Sequence, residues 1–309
     1  MILGVLDVET VKQLTVDGFY RGCSYGLLGA GFALILGVTG RFHFAYAFTY
    51  TFAVYMAYQF TFPLGLPFWP SAILGVLVSA FVGVLIERIV YRPLAANAGA
   101  NALLAIFVAS LGLGIAGENA IRLYWGSETQ SYYGPDKVAY TLWDTTFINF
   151  DVWQAASAIF LVLALWALLR WTPLGRQIKA TRVNPELARI IGINANTIYL
   201  IVFFIGSLFA GVAAIWYGLK YTVDPAMGFT PVIYAFVVAF LAGTASSPIR
   251  VFLTGIVVAL IEQYSSIWLS ARWTQTAVFV VLVLYLSVLA FKASSLSTRL
   301  RRLVPAGKA

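Results

Sequence analysis

The chain has 309 residues, of which 61% are hydrophobic and only 10% are charged. Because a soluble domain averages about 25% charged residues, these proportions exclude a large water-exposed globule and indicate a membrane protein. The formal net charge of +8 does not indicate a nucleic-acid partner, because the Lys and Arg residues cluster at the ends of apolar runs, where membrane topology and contact with lipid account for them.

Repeated apolar runs near the ~20 residues needed to cross a bilayer predict membrane-spanning helices. The runs are continuous rather than alternating, which favours helices over a β-barrel. We therefore expect an all-α polytopic membrane protein with eight or nine transmembrane helices. The second run is aromatic and partly polar and the seventh is short, so each is a candidate for a broken or re-entrant helix. The predicted spans are Phe19–Val38, Phe42–Phe60, Phe68–Val90, Asn101–Ile121, Val152–Trp171, Asn196–Gly218, Pro231–Thr244, Ile249–Leu269 and Thr276–Phe291.

The distribution of positive charge predicts the orientation of these spans. If the basic segment after the fifth span and the C-terminal tail are cytoplasmic, most of the 20 Lys and Arg residues fall on the cytoplasmic side. Nine crossings then place the N-terminus outside and the C-terminus in the cytoplasm. The basic residues left outside are Lys12, Arg21, Arg122, Lys137, Lys220 and Arg272.

Nine crossings also divide into two sets of four around one linking helix. We expect one transmembrane domain over residues 1–309, in which inverted repeats at about 19–121 and 196–291 flank a linking helix at 152–171. A cytoplasmic coupling segment at 172–194 and a cytoplasmic tail at 292–309 complete it. The two suspect spans are each second in their set, and discontinuous helices commonly line a transport pathway. The alternative, that any polytopic chain divides into matching sets, stays open.

The segment "TPLGRQIKATRVNPELARIIGIN", Thr172–Asn194, interrupts the apolar chain with four positive charges and one acid. Its second half predicts a short helix: Asn184 is a good N-cap, Pro185 suits the first helical position, and Glu186 complements the positive end of the dipole. Gly192 is a plausible stop. The residues Leu187, Ala188 and Ile191 give this helix a small apolar face, which needs something to dock against.

Several segments carry a resemblance to a known family. The basic segment resembles the cytoplasmic coupling segment of the permease subunit of branched-chain amino acid ATP-binding-cassette importers, the LivH type. "ERIVYRPL" (Glu87–Leu94), "ASLGLGIAGENAIRLYWGSE" (Ala109–Glu128) and "DPAMGFTPVIYAFVVAFLAGTASSP" (Asp224–Pro248) are similar to further motifs of that family, in the same order. The resemblance covers roughly residues 20–290.

The resemblance implies a multi-pass subunit of the bacterial inner membrane that transports an amino acid or a related amide, urea or aromatic carboxylate. Its implied partners are a second related permease in a heterodimer, two cytoplasmic ATPase subunits and a periplasmic substrate-binding protein. ATP and Mg²⁺ would be bound by the ATPases, because this chain lacks a Gly-x4-Gly-Lys-Ser/Thr loop. We expect no cofactor and no enzymatic activity here. The implied coupling residues are Arg182, Asn184, Glu186, Ala188, Arg189 and Gly192, with Arg182 and Glu186 as the main polar contacts.

The chain departs from the family at the start of the second span and in the turn at Ala242–Arg250. Where the family reads Asn-Phe-Ala-His-Gly, this chain reads "FHFAYAF" at Phe42–Phe48. His43 is a candidate for substrate contact, but we favour a structural role beside Arg41. The predicted substrate pathway comprises His43, Phe44, Tyr46, Asn119, Phe229 and Thr230.

Two other polar features have simpler explanations. Glu118 and Arg122 are spaced for an ion pair within one helix turn. Glu262, inside the eighth span, is expected to face the bundle interior and pair there. An alternative function is a stand-alone ion-coupled secondary transporter, but its ion site would rest on Glu262 alone. A membrane enzyme is disfavoured because one His and one Cys offer no metal site and little acid–base chemistry.

Overall fold

The computed structural model describes residues 7–130, 134–270 and 273–288. The elements follow the predicted spans, with two short helices in the basic segment and a β-hairpin after the fourth span. They are α1 (Val8–Thr39), α2 (Tyr46–Thr61), α3 (Phe68–Ile86), a π-helical turn (Glu87–Tyr91), α4 (Arg92–Asn97), a 3-10 turn (Gly99–Asn101), α5 (Ala102–Trp125), β1 (Ala139–Leu142), β2 (Thr145–Ile148), α6 (Asn149–Trp171), α7 (Pro173–Val183), α8 (Pro185–Ile190), α9 (Ala195–Lys220), α10 (Phe229–Ala242), α11 (Pro248–Ser265) and α12 (Trp273–Val288).

The prediction of an all-α polytopic membrane protein is confirmed. In the part of the chain that the structure describes, 6 helical segments are long and apolar enough to cross a membrane. Three shorter helices, α2, α10 and α12, complete the expected series. The antiparallel pair β1–β2 was not predicted, and it lies in the loop between α5 and α6. The predicted tail and the end of the predicted ninth span lie outside the described residues.

The bundle has two distinct ends. At the end that carries β1–β2, the hairpin end, the Gln13 side chain near the start of α1 bonds to the Thr146 backbone. At the end that carries α7 and α8, the basic end, Gly37 of α1 lies against the Thr244 carbonyl, which also accepts a hydrogen bond from Arg182. Successive spans therefore run alternately between the two ends.

Each of the two suspect spans is one continuous helix that is preceded by a non-helical stretch. Gly40, with a φ of 67°, ends α1, and α2 does not begin until Tyr46. The predicted start at Phe42 is therefore wrong by four residues, because a positive-φ glycine stops the preceding helix and a non-helical stretch follows. The Phe44 carbonyl lies level with Gly114, halfway along α5. Likewise, α10 begins at Phe229 after a non-helical stretch.

Close packing between α1 and α11 forms the centre of the bundle. A Cβ added at Gly22 would lie 2.5 Å from the Ile256 Cα, and one added at Gly26 would lie 2.7 Å from the Phe252 carbonyl oxygen. Since real Cβ atoms do not approach backbone so closely, glycine is required at this crossing. Small residues let helix backbones approach in membranes, where lipid removes the hydrophobic drive for association.

Helices from the two halves pack in reciprocal pairs. The first helix of the first half, α1, packs against α10 and α11, the second and third spans of the other half. The first helix of the second half, α9, packs in the same way against α2 and α3. This exchange of equivalent contacts is what a twofold relation between two repeats produces.

Candidate functional site

A polar cavity opens between the helices at the hairpin end. Its volume is about 780 Å³, and α1, α9, α10, α11 and β2 contribute to its walls. It also borders the non-helical stretch that precedes α10. The charged side chains that line it, among the described residues, are Asp17, Arg21, Asp151, Lys220, Asp224 and Glu262.

Glu262 is the most buried of these charges. It accepts hydrogen bonds from the hydroxyls of Tyr25 at 2.9 Å and Tyr234 at 2.8 Å, and these two rings stack with centroids 4.4 Å apart. The Arg21 guanidinium lies 3.6 Å from the carboxylate. The prediction that Glu262 faces the interior and is paired there is confirmed. Its partners come from α1 and α10 rather than from its neighbours in sequence.

The remaining charges leave the cavity with a surplus of carboxylates. Lys220 forms an ion pair with Asp151. Asp17 and Asp224 form no salt bridge with any cation in the part of the chain that the structure describes. Among the described residues, four carboxylates therefore share the cavity with two cations, and both of these cations are already paired.

The residues predicted to line the pathway do not all converge on one cavity, although the rings of His43 and Tyr46 lie edge-on with centroids 5.8 Å apart. Thr230 lines the polar cavity. Asn119 and Phe229 lie on an exposed outer face at α5 and the start of α10. Phe44 packs edge-on against Phe32 and Phe107 inside the bundle.

His43 and Tyr46 are fully buried and anchor the non-helical stretch that leads into α2. The His43 Nδ1 lies 2.9 Å from the Tyr91 hydroxyl, and its ring packs edge-on against Phe203. The Tyr46 hydroxyl donates to the Gly206 carbonyl at 3.0 Å. Both side chains thus connect the non-helical stretch to neighbouring elements, and neither lines the polar cavity.

The smaller ion pairs have structural roles. The predicted Glu118–Arg122 pair is confirmed, with Nη2 and Oε1 2.6 Å apart on α5. Arg41, expected at the cytoplasmic surface, is buried and forms an ion pair with Glu87 in the π-helical turn. It is buried because the non-helical stretch after Gly40 carries it into the bundle.

The helix predicted in the basic segment is confirmed as α8. The Asn184 Oδ1 accepts from the backbone N–H groups of Glu186 at 2.9 Å and Leu187 at 3.0 Å, as an N-cap does. Gly192, with a φ of 85°, follows its end. The preceding helix, α7, is capped in the same way by Thr172, whose hydroxyl accepts from Gly175 N–H at 3.0 Å.

Two of the predicted coupling residues face inward rather than outward. Ala188 is only 2% exposed, because this side of α8 packs against the rest of the protein. The Arg182 Nη2 donates to the Thr244 carbonyl at 2.8 Å. Partial burial lowers the pKa of Arg182, because it disfavours the charged guanidinium. The hydrogen bond to Thr244 offsets part of this free-energy cost of burial. Glu186 and Arg189 are exposed.

Four apolar side chains at the end of α7 and along α8 are exposed beside the charged ones. We call Val183, Leu187, Ile190 and Ile191 the docking face, since all four are exposed and Val183 and Ile190 are at least 80% so. Leu187 and Ile191 were predicted to belong to such a face. Val183 lies before the N-cap and Ile190 lies beside Arg189, so neither belonged to the apolar face predicted for the helix.

The polar cavity was not predicted from the sequence, because its charges, apart from Glu262, lie at or near the ends of the predicted spans. One signal was present: Arg21 lies within the first predicted span, Phe19–Val38. Charges carried within a helix that spans the membrane mark interior polar sites.

Comparison with known proteins identifies the family. A family model described as "Branched-chain amino acid transport system / permease component" matches residues 14–288. The chain is 26% identical over 294 residues to the high-affinity branched-chain amino acid transport system permease BraD of Pseudomonas aeruginosa, covering 91% of this chain and 94% of the relative. It is 25% identical over 291 residues to the corresponding permease LivH of Escherichia coli, covering 90% and 93%.

A more distant relative is the galactofuranose transporter permease YtfT of Escherichia coli, 25% identical over 141 residues, or 46% of this chain and 37% of that protein. The full-length matches and the family model agree with the order of motifs along the chain. The chain belongs to the family of permease components of branched-chain amino acid transport systems.

Proposed function

We propose that this chain, a permease subunit of an ATP-binding-cassette importer, moves an amino acid or a related small polar solute inward across the bacterial inner membrane, and that the polar cavity receives the solute. The observation that carries the proposal is the presence of both signs of charge in one cavity beside the non-helical stretch that precedes α10. BraD and LivH are named as permeases for branched-chain amino acids, which supports the same class of solute here.

The charges of the cavity suit a zwitterion. The carboxylates of Asp17 and Asp224, which lack a cation partner among the described residues, attract an ammonium group, and Arg21 and Lys220 attract a carboxylate. Opposite charges at contact distance favour the bound state more strongly where water is excluded. An aromatic carboxylate carries only negative charge and meets a surplus of carboxylates, so we favour amino acids and uncharged amides over it.

Uptake by the reconstituted importer tests the role of the cavity. Asp224→Asn and Arg21→Gln each remove one charge that lines it. We expect both variants to raise the concentration of labelled leucine needed for half-maximal uptake by about tenfold, while Arg122→Gln, in the ion pair on α5, leaves it unchanged. Unchanged uptake in both cavity variants would show that the solute takes another route.

The docking face supports the coupling part of the proposal. Four exposed apolar side chains at the basic end form a surface that a cytoplasmic ATPase subunit can cover, and central apolar anchors supply most of the energy of such interfaces. We propose that each of two ATPases grips one permease there and that Glu186 and Arg189 form polar contacts at its rim. ATP and Mg²⁺ are bound on the ATPases, and a periplasmic protein delivers the solute.

The outer face of α5 supports a second permease. This helix is the least buried of the long spans, and Ala105, Ala109, Gly112 and Ala116 form a stripe of small residues along it. Such stripes mark helix contacts in membranes. We propose that a related permease packs here, which places Asn119 and Phe229 beside the interface and leaves them available to a shared pathway.

The internal repeat and the orientation of the chain in the membrane are also part of the proposed function. We propose that the halves are inverted repeats, as the reciprocal packing of α1 with α11 and of α9 with α3 supports. The basic end is then cytoplasmic and the hairpin end periplasmic, which places the N-terminus outside and the C-terminus inside. Labelling an exposed cysteine placed at Trp143 and one placed at Ile190 with an impermeant reagent tests this orientation, because only Trp143→Cys should react in intact spheroplasts.

A further inference from the structure

A second cavity lies at the basic end of the bundle, away from the polar cavity. Its volume is about 280 Å³, and it is lined by α1, α6, α7, the turn before α11 and the start of α11. We call it the basic cavity, because three cations line it: Arg170, Lys179 and Arg182. None of its described lining residues is acidic.

These three cations come from different elements and converge on one space. Arg170 comes from the last turn of α6, whereas Lys179 and Arg182 come from α7. The Arg182 contact with the Thr244 carbonyl uses one of its nitrogens, and the guanidinium has five N–H donors. Three like charges around one partly open space repel one another, and an anion in that space reduces the repulsion.

The start of α11 adds to the preference for an anion. Ser247 is the N-cap of this 18-residue helix, and Ser246, Ser247 and Pro248 line the basic cavity. Backbone N–H groups at a helix N-terminus, together with the helix dipole, favour a phosphate or similar anion. The cations, the hydroxyls and the helix terminus thus act on the same space.

The remaining walls are apolar and suit a lipid rather than a free ion. Leu34, Leu165, Leu169 and Val251 line the inner part of the basic cavity. Trp166, also in the lining, lies under the Arg170 guanidinium at 5.6 Å, and Trp at the end of a span marks the level of the headgroups. Exposed apolar side chains continue along the same two helices toward the hairpin end, namely Phe160 and Leu163 on α6 and Leu253 and Val257 on α11.

We propose that the basic cavity binds the phosphodiester headgroup of an anionic phospholipid, whose acyl chains lie along α6 and α11. Basic pockets between transmembrane helices on the cytoplasmic side have the chemistry to hold such headgroups. The bound headgroup connects α6, α7 and the turn before α11, so it stabilises the arrangement of the basic segment. The lipid site is separate from the polar cavity, and the proposal does not depend on which solute is carried.

Native mass spectrometry of the purified importer, with added phosphatidylglycerol or phosphatidylcholine, tests the proposal. We expect phosphatidylglycerol to be retained at least tenfold more strongly, and its retention to fall about fivefold for each charge removed in Lys179→Gln and Arg170→Gln. Arg176→Gln is the matched control, since Arg176 is also an exposed cation on α7 but does not line the basic cavity. Equal retention of the two lipids, or loss that is the same in the control, would overturn the proposal.

A competition with wild-type protein separates the lipid from a free anion and needs no variant to fold. Inorganic phosphate and glycerol 3-phosphate at millimolar concentration share the phosphate but lack the acyl chains. We expect neither to displace retained phosphatidylglycerol. Displacement by either, to the level seen without lipid, would show that the cavity is a site for a soluble phosphate and that the lipid assignment is wrong.

Discussion

The Arg182 guanidinium donates a hydrogen bond to the Thr244 carbonyl at 2.8 Å, joining α7 to the turn between α10 and α11. This contact connects the basic segment to two helices that line the polar cavity, because α10 and α11 contribute Tyr234 and Glu262 to it. A displacement of α7 by an ATPase subunit would therefore reach the cavity through a charge-assisted hydrogen bond and the packed helices behind it.

Loss of the Arg182–Thr244 contact should uncouple solute transport from ATP hydrolysis. Arg182→Ala removes a hydrogen bond from a charged group, worth about 1.5–3 kcal/mol, so we expect solute transported per ATP hydrolysed to fall about tenfold while the ATPase rate stays within about twofold. The measurement compares uptake and phosphate release in the same proteoliposomes. Arg176→Ala, also on α7 but exposed, is the control and should retain coupling. Equal coupling in both variants would contradict the proposed connection.

The docking face should determine whether the ATPases bind. Ile190→Asp and Leu187→Asp place a charge at the centre of an apolar contact, and we expect either one to abolish co-purification of the ATPase subunits with this chain. A crosslinking experiment gives the complementary result: Ile190→Cys should be captured by an ATPase in native membranes. The buried position Ala188 serves as the control, since Ala188→Cys is shielded by its own chain. Capture from Ala188→Cys alone would contradict this arrangement.

The crossing of α1 and α11 should be sensitive to side-chain size. Gly255→Leu places a side chain against the α1 backbone at Gly26, and overpacking of this kind costs about 1–3 kcal/mol. We expect a lower melting temperature for the purified chain in detergent. Gly112→Leu is the matched comparison, because no described heavy atom lies within 4 Å of its added Cβ. It should leave the melting temperature unchanged but weaken pairing with the second permease, as measured by co-purification.

The charge on Glu262 should contribute to stability. Glu262→Gln leaves the two tyrosine hydroxyls competing for one amide and leaves Arg21 without its carboxylate partner. Buried hydrogen bonds to a charged group contribute about 1.5–3 kcal/mol each, so a clear drop in melting temperature is expected. Glu118→Gln, in the half-exposed pair on α5, should change it little, as is usual for surface pairs. A stable Glu262→Gln variant would show that the carboxylate is dispensable for folding.

The sequence predicts the elements of this fold well because length and apolarity decide where a helix can cross a bilayer. It also predicts α8, since the signals at Asn184, Pro185 and Gly192 are local. The start of α2 is less predictable. Gly40 marks the end of α1, but nothing local in residues 41–45, which read Arg-Phe-His-Phe-Ala, fixes where α2 begins. The Tyr91 hydroxyl that contacts His43 in this stretch comes from an element distant in the chain.

The sites are less predictable than the fold because they assemble across the bundle. Asp17, Lys220 and Asp224 each lie near the end of an apolar run, where charges are common, and nothing local shows that they meet in one cavity. Arg182 looks like an exposed contact in a basic segment, yet its partner, the Thr244 carbonyl, is 62 residues away in the chain. Pairings of this kind depend on helix packing, which the charge pattern does not contain.

If ATPase subunits drive the basic segment, solute accumulates in proteoliposomes only when they are present. The chain is reconstituted with its second permease and the delivery protein, with and without the ATPases, at the same internal ATP concentration. We predict accumulation above the external concentration only when the ATPases are present, and its loss with Ile190→Asp. Accumulation of equal extent without the ATPases would contradict the account.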